Sequence, residues 1–204
     1  SRLELIDRLD RQARRLDKLL SDLLDIDRLT RGVLEPHRRL VDLATLAERV
    51  VGTLDSGGHT VRLQAETLLA EVDPALTERI VENLVKNAVK YTPRGRITVG
   101  ADLRTDGSAP GDGEWIAIRV SDTGPGIPVA KQETIFEEFT RLDPAAQHGA
   151  GVGLAISRRI ARLLGGDITV ESDVGRGSTF TLWLPLKAPT VDPVASPATM
   201  RDFE

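Results

Sequence analysis

The sequence predicts an α+β chain, a two-layer α/β sandwich preceded by one long N-terminal helix. Three observations carry that expectation. Alternating apolar segments come in pairs, with helix-period segments between the pairs rather than after every strand, which a doubly wound parallel sheet would require. From Leu3 to about Arg31 the chain holds neither Gly nor Pro, and Ile6, Leu9, Ala13, Leu16, Leu20 and Leu23 recur at spacings of three and four. A long Gly-rich region, Asp122 to Gly151, then separates a strand from a helix.

The N-terminal spacing is a heptad seam. Leu5, Leu19, Leu24 and Ile26 widen it beyond a two-stranded coiled coil, so it suits a helical bundle. Gly32 and Pro36 end the helix, and His37 to Arg39 form a basic connector. Asp42 caps a helix over Leu43 to Leu54, which Asp55-Ser56-Gly57-Gly58 stops. His59 to Gln64 alternates as a strand, with Leu68 to Val72 as its expected hairpin partner. Asp73-Pro74 opens the next helix, since Asp accepts from free N–H groups and Pro fits the first turn. Leu76, Ile80, Leu84, Val85 and Ala88 mark its apolar face, and Tyr91 to Gly95 ends it. Arg96 to Leu103 and Glu114 to Val120 alternate around an exposed loop, Thr105 to Gly113. A third helix spans about Val152 to Leu164, and Ile168 to Glu171 with Ser178 to Leu184 form a closing hairpin. The expected division is residues 1–35 as helix plus linker, 40–186 as the sandwich domain, and 187–204 as a disordered tail rich in Pro and small residues.

Composition narrows the function. With 40% hydrophobic residues, 28% charged residues and a net charge of -4, the chain is globular and too balanced for a charge-driven nucleic-acid binder. Zero Cys and three scattered His exclude thiol nucleophiles, zinc ribbons and a His-based metal cage, so any metal should be held by oxygen. No apolar run approaches the ~18 residues of a membrane span, and Ser1-Arg2-Leu3-Glu4 is charged rather than signal-like. A soluble, cytoplasmic segment without membrane contact, cut from something longer, is expected.

Three clusters carry chemistry. Asn83 and Asn87 lie one turn apart on the second-domain helix and share a face with Lys90 and, at its edge, Tyr91. That face suits Mg²⁺ and phosphate, because a hard cation takes an amide oxygen and phosphate oxygens while Lys adds a point charge. Taken alone it is also an ordinary solvated face. Asp122-Thr123-Gly124-Pro125-Gly126-Ile127 follows a strand; its glycines let a planar ligand lie on backbone and Asp122 can accept from an exocyclic amino group, although the same residues make a good turn. Gly149-Ala150-Gly151-Val152-Gly153-Leu154 opens a helix, where backbone N–H groups can cradle a polyphosphate. It lacks the surrounding βαβ unit of the dinucleotide fingerprint and has no Walker lysine.

In this order the clusters resemble the ATP-binding domain of sensor histidine kinases, in the Bergerat superfamily with DNA gyrase, a heat-shock chaperone and MutL. Asn83 to Tyr91 resembles the N box, Asp122 to Ile127 the first glycine box, Ile135 to Phe139 the F box, Gly149 to Leu154 the second glycine box, and Gly177 to Phe180 the last. The resemblance covers about Leu40 to Leu186. It implies that Asn87 binds Mg²⁺, with Asn83 beside it and Lys90 near the phosphates, and that Tyr91 flanks the nucleotide. It implies that Asp122 accepts the adenine amino hydrogen, that Gly124 and Gly126 admit the base with Ile127, and that Thr179 acts through water. Arg141 would be a phosphate ligand. Gly149, Gly151 and Gly153, with Val152 and Leu154, would wrap the triphosphate, while Phe136 and Phe139 anchor the lid.

The resemblance further implies that Leu3 to Arg31 is the second helix of the dimerisation and phosphoacceptor hairpin. Its partners would be that hairpin in the parent kinase, a second copy of the parent and a response regulator. No His followed by an acidic residue occurs here: His37, His59 and His148 precede Arg38, Thr60 and Gly149. The expected function is therefore a kinase fragment that binds Mg-ATP but lacks its own acceptor. An anti-sigma-factor-type serine kinase or a nucleotide-binding scaffold is the alternative. ATP hydrolysis needs a carboxylate one turn before the metal Asn, where Asn83 stands, and Glu82 is roughly 140° round the helix from Asn87.

Overall fold

The computed structural model describes residues 2–53, 59–92, 94–140 and 151–186. Four helices and seven strands follow in the order α1 (Arg2–Thr30), β1 (Arg39–Asp42), α2 (Leu43–Thr53), β2 (Thr60–Ala65), β3 (Leu69–Val72), α3 (Pro74–Tyr91), β4 (Arg96–Arg104), β5 (Trp115–Asp122), α4 (Gly153–Leu163), β6 (Asp167–Asp173) and β7 (Gly177–Pro185). Two short 3₁₀ turns, Val129–Lys131 and Thr134–Phe136, punctuate the Gly-rich region. The five-stranded sheet runs β2-β4-β5-β7-β6, and β1 and β3 make a separate two-stranded sheet. This is the expected α+β sandwich.

One face of the larger sheet carries α2, α3 and α4. Alternation puts Ile97 and Val99 of β4, Ile116, Ile118 and Val120 of β5, and Leu182 and Leu184 of β7 on that face, all fully or almost fully buried. Leu46, Ile80, Leu84 and Ile160 meet them from the helices, also buried. Each such side chain contributes about 1.5–3 kcal/mol relative to exposure. Helix α3 starts where expected, its first turn capped by the Asp73 carboxylate accepting from the Leu76 N–H at 3.0 Å.

The expected β2–β3 hairpin does not form. Strand β2 pairs in parallel with β4, and β3 pairs antiparallel with β1, matching Val41 to Ala70. The Asp42 carboxylate explains the choice: it accepts from the Ala44 and Leu68 N–H groups, both at 3.1 Å, while the Leu43 N–H donates to the Leu68 carbonyl at 3.0 Å. These bonds draw the start of β3 to the end of β1, and β2 is left to bury Val61 and Leu63 beside β4. Phe139 departs too. It has φ +64° and is 65% exposed, because a left-handed turn swings its ring to water, so only Ile135 and Phe136 of the F box anchor inward.

Among the described side chains, α1 packs on the domain through Ile26 and Leu29 of its last turns and an Asp25–Arg79 ion pair. Ile6, Leu9, Leu16, Leu20 and Leu23 of the seam are exposed. The following linker is tied at two points: the His37 N–H donates to Asp73 at 2.7 Å and Arg38 donates to the Leu164 carbonyl at 3.0 Å. Among the described residues no helix is long and apolar enough to cross a membrane. The Asp55 to Gly58 stop signal and the expected tail lie outside the described residues.

Candidate functional site

Helix α3 and the ends of β5, β7 and α4 bring most of the predicted site residues together. Asn83 is half-buried on α3, and its amide donates to Ser157 Oγ of α4 at 2.9 Å. A Cβ on Gly153 would sit 2.6 Å from Asn83 Oδ1, so any other residue there would push the Asn83 carboxamide out of its present position. Helix α4 begins at Gly153, after a buried Val152 that offers no side-chain cap, and Leu154 packs partly against the core. Its first N–H groups therefore face the site without a capping side chain, which is anion-binding geometry. Gly151 sits just before it with φ +75°.

Asn87, one turn beyond Asn83, is half-buried and its carboxamide hydrogen-bonds to no described residue. An uncommitted amide oxygen on this face fits a hard cation that takes its remaining ligands from phosphate and water. No group of three or more His, Asp or Glu able to hold a metal occurs among the described residues. Lys90 lies over the Tyr91 ring, 4.4 Å from its centroid, with Nζ donating to the hydroxyl at 2.8 Å. Glu82 turns away and pairs with Lys86 at 2.5 Å.

Beside Thr92, just past the C-terminus of α3, stands Asp122, the last residue of β5. Its Oδ1 accepts from the buried Gly124 N–H at 2.8 Å and from the Thr92 hydroxyl at 3.4 Å. Burial pushes the Asp122 carboxyl above the usual carboxylate range; the N–H of Gly124, the Thr92 hydroxyl and the Ser178 N–H pull it partway back. Asp122 stands opposite Ser178 of β7, whereas Thr179 is in register with Ser121, its hydroxyl 2.9 Å from Ser121 Oγ, so alternation puts its side chain on the other face of the sheet from Asp122. Gly126 has φ +72° and a Cβ there would lie 2.7 Å from the Asp173 carbonyl carbon, so the first glycine box is pressed against β6. Ile127 is buried, and its N–H donates to Ser172 Oγ at 2.7 Å.

Arg141 and Gly149 lie outside the described residues. Sequence reasoning missed Thr92, Ser157 and Arg158. Arg158 stacks 4.5 Å from the Phe136 ring centroid and pairs with Asp167 at 2.8 Å, holding the F box to α4, while Phe136 meets Phe180 edge-on. The three-residue spacing of Phe136 and Phe139 gave no sign that the two rings part company.

The sequence profile of the histidine kinase-, DNA gyrase B- and HSP90-like ATPase family matches residues 72–188. The adaptive-response sensory kinase SasA of Synechococcus sp. (strain JA-3-3Ab) is 35% identical over 191 residues, covering 90% of this chain and 49% of SasA. The aerobic respiration control sensor protein ArcB of Escherichia coli (strain K12) is 33% identical over 189 residues, 86% of this chain and 23% of ArcB. The chain thus spans about half the length, or less, of these curated relatives. Among solved structures, full-length ShkA in complex with AMPPNP superposes with a TM-score of 0.73 at 28% identity, over 85% of this chain and 36% of that one. The histidine kinase AdeS of Acinetobacter baumannii gives a TM-score of 0.73 at 22% identity, over 90% of this chain and 84% of that one, a likeness of fold alone.

Proposed function

The chain belongs to the histidine kinase-, DNA gyrase B- and HSP90-like ATPase family, in the form found in sensor histidine kinases, and from that premise we propose that it is the catalytic segment of such a kinase, binding Mg-ATP and passing the γ-phosphoryl to a histidine that this sequence does not supply. One observation carries the reading: α3 touches both ends of the site, Asn83 against Gly153 and Ser157, and Thr92 against Asp122. Nine residues of helix, about 13 Å of axis, separate these contacts, so the acceptor for a base and the cradle for an anion belong to one extended ligand.

In this reading Asp122 accepts from the adenine amino group, and Gly124, Gly126 and Ile127 floor the base while Tyr91 flanks it. Gly149, Gly151 and Gly153, with the backbone of Val152 and Leu154, wrap the triphosphate, and Lys90 and Arg141 add positive charge. Mg²⁺, held through the Asn87 side chain, would neutralise phosphate charge. The remaining work is positioning: the acceptor nitrogen forms a bond to the γ-phosphorus as the bond to the β-γ bridging oxygen breaks and ADP leaves. Hydrolysis is disfavoured because Asn83 stands where a base is needed and Glu82 is engaged by Lys86.

Helix α1 is then the second helix of the parent's dimerisation and phosphoacceptor hairpin. Its exposed seam is the surface by which two copies of the parent associate, on the cytoplasmic side, where a response regulator receives the phosphoryl group. The test is incubation with radiolabelled ATP, alone and with a hairpin supplied from the parent. Acid-labile, alkali-stable label is expected on the supplied hairpin and not on the chain. Label on the chain alone would make His37, His59 or His148 an acceptor and overturn the reading.

A further inference from the structure

Thr92 is the C-cap of α3 and is fully buried, yet it is a polar residue with three bonds that meet at the base end of the site. Its N–H donates to the Ala88 carbonyl at 3.1 Å, its carbonyl accepts from the His59 ring, and its hydroxyl donates to Asp122 Oδ1. The first two bonds fix the Thr92 backbone between α3 and the start of β2. The hydroxyl then lies 3.4 Å from Asp122 Oδ1, within reach of one long hydrogen bond. Oδ1 already receives the Gly124 N–H, so two protein donors converge on one carboxylate oxygen.

We propose that Thr92 is a positioning residue for base selection: by donating to Oδ1 it holds Asp122 in one orientation as an ionised, acceptor-only group, so that the site takes a 6-amino purine and rejects a 6-keto purine. The inference rests on the reading of Asp122 as the base acceptor. An ionised carboxylate accepts the exocyclic amino hydrogen and repels a keto oxygen, whereas a protonated one can donate to that oxygen. Burial alone favours the protonated form, and a hydroxyl donor bonded to the charged form opposes it. Thr92 thus acts through Asp122 without needing to touch the ligand.

The titratable residues on the elements next to Asp122 are His59 ahead of β2, Lys90 and Tyr91 at the end of α3, Arg96 at the start of β4, and Asp173 at the end of β6. All are common to the wild type and a Thr92 variant, so a difference between the two at matched pH reads the carboxylate. The experiment titrates the full chain with ATP and with inosine triphosphate, across a pH series, for wild type, Thr92→Val, Thr92→Ser and Asp122→Ala. Thr92→Val keeps the shape and removes the hydroxyl; Thr92→Ser keeps the hydroxyl and removes a methyl group. The expected result is a fall in the ATP-to-inosine-triphosphate preference of roughly five- to tenfold in Thr92→Val, the size of one ordinary hydrogen bond. The acid limb of ATP affinity should move to higher pH in the same variant, with both properties kept in Thr92→Ser. If Thr92→Val does not fold, Thr92→Ser against Thr92→Ala makes the same comparison. Unchanged preference and pH profile in the hydroxyl-free variant, with Asp122→Ala impaired, would overturn the role of Thr92 alone. Unimpaired ATP binding in Asp122→Ala would instead overturn the underlying assignment of the base acceptor.

Discussion

Asp122, Thr92 and Gly124 are already bonded to one another before any ligand is considered, whereas further back along α3 the Asn87 carboxamide, and at the head of α4 the first amides, have no side-chain partner among the described residues. The base end is therefore built by the fold, from strand register and a helix cap. The phosphate end is a set of donors and an acceptor whose partners a ligand must bring. The difference teaches where each part of the binding energy comes from: a preorganised acceptor contributes selectivity at little ordering cost, and the uncapped helix contributes affinity only when an anion arrives.

The comparison breaks most visibly if Asp122→Ala binds a fluorescent ATP analogue as well as the wild type. Removing the acceptor leaves the amino group unpaired, so affinity should fall by about 1–3 kcal/mol, roughly five- to 150-fold. At the phosphate end, Asn87→Ala should weaken nucleotide about tenfold with Mg²⁺ present and little in chelator, as titration in the two buffers would show; an equal loss in both would remove Asn87 as metal ligand.

A smaller effect sharpens the idea that the base end is built at a cost to stability. Burial raises the folded-state pKa of Asp122, so the stability this group contributes is fully present below its unfolded pKa and is lost as pH rises through the folded one. Asp122→Asn should accordingly raise Tm at neutral pH by roughly 1–3 °C, with the gain vanishing toward pH 3, in melts across a pH series. A lower Tm at neutral pH would mean that the Gly124 and Thr92 bonds to the ionised carboxylate outweigh its burial.

Much of this architecture was legible in the residues. Long periodic segments announced α1, α3, α4 and the strands from β4 to β7, because eighteen residues of α3 or nine of β4 leave little room for another period. Four-residue β1 and β3 did not announce their pairing, since alternation reports which face is buried and says nothing about the neighbour; the Asp42 carboxylate decided that. Asn83, Asn87 and Asp122 were visible because polar groups stood at helical spacing or beside glycines at a strand end. Thr92 was not, because a threonine after a helix looks like any other cap until β5 is folded beside it.

The contrast between the two ends is tested most directly by amide exchange followed by NMR, with and without Mg-AMPPNP. The Gly124 amide, bonded to Asp122, should be protected in both states, while the Gly153 and Leu154 amides should exchange freely alone and slow markedly with nucleotide. Exchange at Gly153 and Leu154 that is equally slow without nucleotide, or unaltered when it is added, would contradict a phosphate cradle at the head of α4.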